Sequence, residues 1–202
     1  VEKNTLSKYF AYIDLNHVAD YCYIDNKKNV YAKSYSQIGY SDFQSSGLRE
    51  KMGDEYAKTQ WIWTRDYLFG TGDEALFIGR YVNSMDYAHE PGILYLKMNQ
   101  QFLENVMDKD KKIAKDVAVG IISPEGKTCI QQDPEDFNIG KKTMKKITEL
   151  TRTKKSGVIV QGKRIEGGIL QAYRQAETGM VIFTLVPDMV LNQGMTQILI
   201  VL

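Results

Sequence analysis

Apolar and polar positions along this chain of 202 residues fall into two stretches of the same order. The first, "ADYCYIDNKKNVYAKS", holds two β-rich runs, Val18 to Ile24 and Val30 to Ser34, joined by the polar tract Asp25 to Asn29, which is the composition of a hairpin. In "VAVGIISPEGKTCIQQ" the plan returns, with Val117 to Ile122, a turn at Ser123 to Gly126, and Lys127 to Gln131. Downstream of the first hairpin, "ALFIGRYV" and "GILYLKM" read as strands separated by a loop with Pro91 and Gly92, followed by a short helix from about Asn99 to Met107. "GGILQAYRQAETGMVIFTLVPDMVLNQ" repeats that order, with a turn at Glu177 to Gly179 and a closing helix near Pro187, a residue suited to a first helical turn.

The middle of each stretch differs. "SSGLREKMGDEYAKTQWIWTRDYLFG" predicts a helical segment from Leu48 to Lys58 and a strand through Trp61, Ile62 and Trp63. "GKKTMKKITELTRTKK" predicts a helix whose apolar positions Met144, Ile147 and Leu150 form a narrow stripe, so it lies on a sheet with most of its surface in water. Its lysines read as a solvated face, with contact to acidic lipid or a partner as the other reading. "MDKDKKIAKD" is a charged connector between the stretches. The pattern predicts an α+β protein of two tandem units, each an antiparallel sheet flanked by helices. They span 18–108 and 117–190, with the end of a helix over 1–17, a connector over 109–116 and an apolar tail over 191–202.

With 43% hydrophobic residues the chain can bury real cores, and a formal charge of +1 gives no overall field toward nucleic acid. Cys22 and Cys129 fall in different units, and a bridge would need Cα atoms within about 7 Å, so they do not settle the compartment. His17 and His89, the only 2 histidines, lack neighbours at metal-ligand spacing. No nucleophile elbow, phosphate-binding loop or paired-Cys pattern occurs. "GTGDEA" matches Gly-x-Gly-x-x-Ala but leads into a strand instead of opening a helix, the wrong context for a dinucleotide. The reading is of a fragment without catalytic residues, metal or cofactor.

Aromatic residues concentrate in the first unit, where Trp61, Trp63, Tyr67, Tyr81 and Tyr95, with Arg80 and Asp86, are the candidate ligand-binding set. Aromatic walls with a few charged groups suit a small polar molecule, because rings exclude water while a charge fixes one end. Arg80 shares a strand face with Leu76, Ile78 and Val82, so it is ion-paired, sits at the sheet rim, or meets a ligand. Trp61 and Trp63 share the face opposite Ile62 and either fill a core or line a cavity.

These hairpins, with "FIGRYVNS", "GILYLKMNQQFLENVM" and "ETGMVIFTLVPDMVL" running into an apolar end, resemble the extracellular double Cache (PAS-like) sensor domain of bacterial membrane receptors. The pattern looks closest to YesM-like sensor histidine kinases. The resemblance implies a membrane-distal unit, a membrane-proximal unit and flanking membrane helices, with "MTQILIVL" the start of a truncated transmembrane helix. It implies signal transduction in a two-component system, a homodimer in the full receptor, and a small-molecule ligand or an accessory binding protein as partner. The same sensor on a chemoreceptor or diguanylate cyclase, and a soluble PAS-type or solute-binding protein, are the other readings. One subgroup of the family binds amino acids through an Arg-x-Trp-Tyr phrase. Here "KTQWIWTRDY" has no Arg two before a Trp-Tyr pair, so those roles are not carried over.

Overall fold

The structure, a computed structural model, describes residues 16–33, 38–54, 56, 58–82, 91–108, 116–127, 129–134 and 136–191. The chain divides into two compact units, Val1–Phe102 and Leu103–Leu202. In unit 1, β1 (Val18–Ile24) and β2 (Val30–Ala32) are followed by α1 (Tyr40–Ser45), α2 (Leu48–Met52), β3 (Gln60–Arg65), β4 (Glu74–Val82) and β5 (Gly92–Met98). Helix α3 (Gln100–Asp108) spans the division. Unit 2 holds β6 (Ala118–Ile122), β7 (Cys129–Gln132), α4 (Lys141–Leu150), β8 (Gly157–Ile165), β9 (Gly168–Arg174) and β10 (Val181–Pro187), then a helical turn at 188–191. The expected helix over 1–17 and the apolar tail over 191–202 lie almost wholly outside the described residues, as does most of the connector over 109–116.

Each unit is built on a five-stranded sheet, ordered β2-β1-β5-β4-β3 in unit 1 and β7-β6-β10-β9-β8 in unit 2, the same plan twice. Every strand pairing is antiparallel. The first hairpin turns on Asp25, whose carboxylate accepts hydrogen bonds from the backbone of Lys27 (2.9 Å) and Asn29 (2.8 Å) and from the Asn29 side chain (2.7 Å). An Asp that satisfies its own turn in this way explains why a polar tract ends one strand and starts the next.

In unit 1 the sheet presents Cys22, Ile24, Ile62, Phe77, Tyr81 and Tyr95 to one face, where Phe43 of α1 and Leu48 and Met52 of α2 cover them. In unit 2 the corresponding face presents Ile122, Leu170, Phe183 and Leu185, and α4 lays Ile147 on it, fully buried, with Met144 and Leu150 alongside. The narrow stripe read in α4 is therefore its contact with the sheet. Gly120 lies directly beneath the Phe183 ring, so a Cβ there would collide with it. Cys22 is a free, fully buried thiol of the unit 1 core, pushed up to about 12 by that burial and next by the charge of Asp20.

Two elements differ from the pattern-based expectation. The helix expected over Leu48 to Lys58 stops at Met52 because Gly53 turns the chain to φ 61°, and a separate short helix, α1, precedes it. Strand β8 was not read from sequence at all. It is an edge strand with register shifts between Val158 and Val160 and between Val160 and Lys163, and Gln161 to Arg164 are exposed, so the alternation that marks a strand is lost.

Candidate functional site

A pocket of about 160 Å3 opens on the helix-covered side of unit 1, among the β1–β2 turn, α1, α2 and the ends of β4 and β5. Two cations line it, each lying over a tyrosine. Lys28 reaches in from the turn with Nζ 5.4 Å from the centre of the Tyr40 ring, and the Arg49 guanidinium stands 5.3 Å from the centre of the Tyr81 ring. Both distances lie in the cation–π range. Lys28 holds this place with φ 66°, the left-handed region; it is the one non-glycine residue there among those described. A lysine in that region costs of order 1–3 kcal/mol, and such strain concentrates where a side chain must be aimed.

Tyr81 joins the parts. Its hydroxyl donates to the Gly53 carbonyl at 2.7 Å, its ring meets the Tyr56 ring at 4.5 Å, and Arg49 also donates to the Gly53 carbonyl at 3.1 Å. Burial pushes the Tyr81 phenol above its ordinary value, against the opposing pull of Arg49. Arg49 makes a further contact with Asp54 at 3.3 Å, but that carboxylate is 82% exposed. The remaining acid, Asp25, is occupied by its own turn. Burial pushes its carboxyl up, yet hydrogen bonds from Asn29, Lys27 and Tyr31 outweigh this and hold it below the ordinary value. The charges left to meet a ligand are positive. Pro91, Ile93, Phe43 and Ile24 supply apolar wall.

The structure divides the sequence-derived set. Tyr81 lines the pocket. Tyr95 lies fully buried in the core, with its ring 5.6 Å from Phe43, and its hydroxyl has no hydrogen-bond partner among the described residues. Burial raises its phenol strongly. Trp61, Trp63 and Arg80 lie on the other face of the sheet, because in the β3–β4 register Ile62 stands opposite Phe77 on the pocket side, whereas Trp61 pairs with Ile78 and Trp63 with Leu76. On that face Trp61 stacks on Phe102 at 6.0 Å, Trp63 is 9% exposed, and Arg80 is exposed. Tyr67 is 60% exposed in the β3–β4 connection. Asp86 lies outside the described residues.

Lys28, Tyr40, Arg49 and Tyr56 were not among the candidates. Strand alternation carries the signal that leads to them: it separates Tyr81 from Arg80, and the face of Tyr81 is the one bearing Phe77 and Gly79. Asp66 closes the β3–β4 connection. It is fully buried and accepts from Lys97 Nζ (2.5 Å), the Phe69 backbone (2.8 Å) and the Thr71 hydroxyl (2.9 Å). Among the described residues no group of three or more His, Cys, Asp or Glu side chains could hold a metal ion.

No protein-family model and no curated protein matches the chain. Among solved structures it is similar to the extracellular domain of vpHK1S-Z8, assigned as a histidine kinase, at a TM-score of 0.51 and 11% identity, covering 96% of this chain and 76% of that one. It is also similar to an extracellular ligand binding receptor from Desulfohalobium retbaense, at a TM-score of 0.52 and 13% identity, covering 83% of this chain and 30% of that one. Likeness at this identity is one of fold, and the fold is that of tandem PAS- or Cache-like α+β units. No helix among the described residues is long and apolar enough to cross a membrane.

Proposed function

We propose that this chain is the extracellular ligand-sensing region of a bacterial membrane receptor, with a two-component sensor histidine kinase of the YesM-like kind as its output. The observation that carries the reading is the unit 1 pocket, where two cations and two tyrosine rings converge inside a fold shared with extracellular sensor domains. The ligand is a small organic molecule with an anionic group placed between Lys28 and Arg49, and its body lies against Tyr40 and Tyr81. About 160 Å3 is close to the cavity of about 150 Å3 that accepts a benzene ring, so the ligand is correspondingly small.

Binding signals only if the ligand prefers one of two arrangements of the receptor; tight binding to both moves nothing. In this proposal ligand contact shifts the β1–β2 turn against α1 and α2, and the shift is passed on to the membrane part of the receptor. The full receptor acts as a homodimer. Thermal shift followed by calorimetry tests the reading with a panel of small carboxylates, amino acids, sugars, polyamines and nucleobases. A ligand at about 100 times its dissociation constant raises stability by roughly 2.7 kcal/mol. A carboxylate hit that Arg49→Ala abolishes and Arg80→Ala leaves intact supports it. A hit abolished by Arg80→Ala alone would move the site to the other sheet face, and a panel without any hit would count against a directly bound small molecule.

A further inference from the structure

Unit 2 carries a second concavity, a groove of about 610 Å3. One wall is a single face of α4, made by Lys141, Met144, Lys145, Thr148 and Glu149 and continued by Arg152 just beyond the helix end. Offsets of three and four residues define one stripe of a helix. Gln131 of the edge strand β7 and the buried Ile139 supply the other side.

The cations of α4 sort by face. Lys142 pairs with Glu166 at 2.8 Å, and Lys146 stands 4.0 Å from Glu149. The side chains of Lys141, Lys145 and Arg152, which line the groove, have no ion pair or hydrogen bond among the described residues. One carboxylate, Glu149, faces these three cations and is itself shared with Lys146. The helix therefore pairs the lysines outside the groove and leaves three cations inside it facing the single carboxylate of Glu149.

We propose that this groove docks an extended acidic segment of a partner protein. The argument is the layout of charge. From Lys141 to Arg152 the cations are strung along about 16 Å of wall at 1.5 Å per residue, so they do not converge on one small anion. An extended segment of about five residues covers the same length at about 3.3 Å per residue. Lys141 and Lys145 lie about 6 Å apart along the helix, close to the repeat of alternate residues in a strand, so carboxylates on alternate positions meet both. Met144 and Ile139 give the glutamate methylenes an apolar strip. A bilayer surface, flat on this scale, reaches a concave wall poorly. The proposal is independent of the unit 1 ligand.

The probe is a synthetic decapeptide of alternating glutamate and threonine, titrated into the isotopically labelled protein at about 50 mM salt, where screening is modest. The expected result is saturable shifts of the Gln131, Met144 and Thr148 amides, absent with the lysine–threonine peptide. Lys145→Glu with Arg152→Glu weakens binding at least about tenfold, whereas Lys142→Glu with Lys146→Glu, the same change of net charge on the paired face, changes it less than about threefold. Equal losses in the two double variants would reduce the effect to overall charge and overturn the proposal, as would no shift of these amides up to about 1 mM peptide. Citrate or phosphatidylglycerol vesicles that bind the same residues and exclude the peptide would overturn it in favour of those occupants.

Discussion

The Tyr81 hydroxyl and the Arg49 guanidinium converge on one acceptor, the Gly53 carbonyl, at 2.7 and 3.1 Å, while the guanidinium lies over the Tyr81 ring. Gly53 ends α2, so a strand residue and a helix residue jointly fix where the helix stops. Tyr81→Phe keeps the ring under Arg49 and removes one of the two donors. The expected loss is about 1 kcal/mol in urea unfolding, with ligand affinity within about threefold of the parent. A much larger affinity loss would mean that the hydroxyl itself contacts the ligand.

Lys28 trades stability for position. Replacing it with glycine removes the cost of a left-handed φ of 66° and also the ammonium over Tyr40. Lys28→Gly is expected to raise stability by up to about 1 kcal/mol and to weaken a carboxylate ligand. Paired thermal melts and calorimetry check both signs, and a destabilised variant would contradict the account of the strain.

Asp25 makes the first hairpin sensitive to acid. Its folded-state carboxyl is held below the ordinary 3.8 by the hydrogen bonds of its turn, so its contribution is fully present above that value and is lost as pH falls through the lower folded value. Asp25→Asn should therefore lower stability at neutral pH and flatten its decline below about pH 4. Denaturant melts across pH 2.5–7 measure this, and parallel curves for parent and variant would refute it.

The Asp66–Lys97 contact is the ion pair whose loss should be felt most. Asp66 has 0% side-chain exposure, so Lys97→Met strands a charge that, among the described residues, only the Phe69 backbone and the Thr71 hydroxyl still serve. A loss of about 3 kcal/mol is expected, and Asp66→Asn with Lys97→Met should recover part of it. Additive losses in that double-mutant cycle would mean the two side chains are not coupled.

In unit 2, Gly120→Ala places a methyl group against the fully buried Phe183 ring. The ring has little room to yield, and a destabilisation of about 1–3 kcal/mol is expected, relieved by Phe183→Leu. Thermal unfolding of the single and double variants checks the pairing.

How much was legible in the sequence depends on the range of the cause. Hairpins β1–β2 and β6–β7, strands β3, β4, β5, β9 and β10 and the stripe of α4 were readable, because a polar turn and an apolar repeat are local consequences of backbone geometry. Alternation also set Trp61 and Trp63 opposite Ile62 and put Arg80 with Leu76, Ile78 and Val82, as observed, yet the candidate set joined Arg80 to Tyr81, which lies on the opposite face. What alternation cannot say is which face of a sheet will hold a pocket. Tertiary structure decided that, because α1 and α2 cover the face of Phe77 and Tyr81, and Gly53 and the Asp25 turn bring Arg49 and Lys28 over it from places distant in sequence. The same holds for β8, whose strand character comes from pairing with β9, and for the groove, where pairing with Glu166 and Glu149 distinguishes lysines that look equivalent in "KKTMKK". Local pattern set the elements and their faces; contacts between distant residues chose which faces became sites.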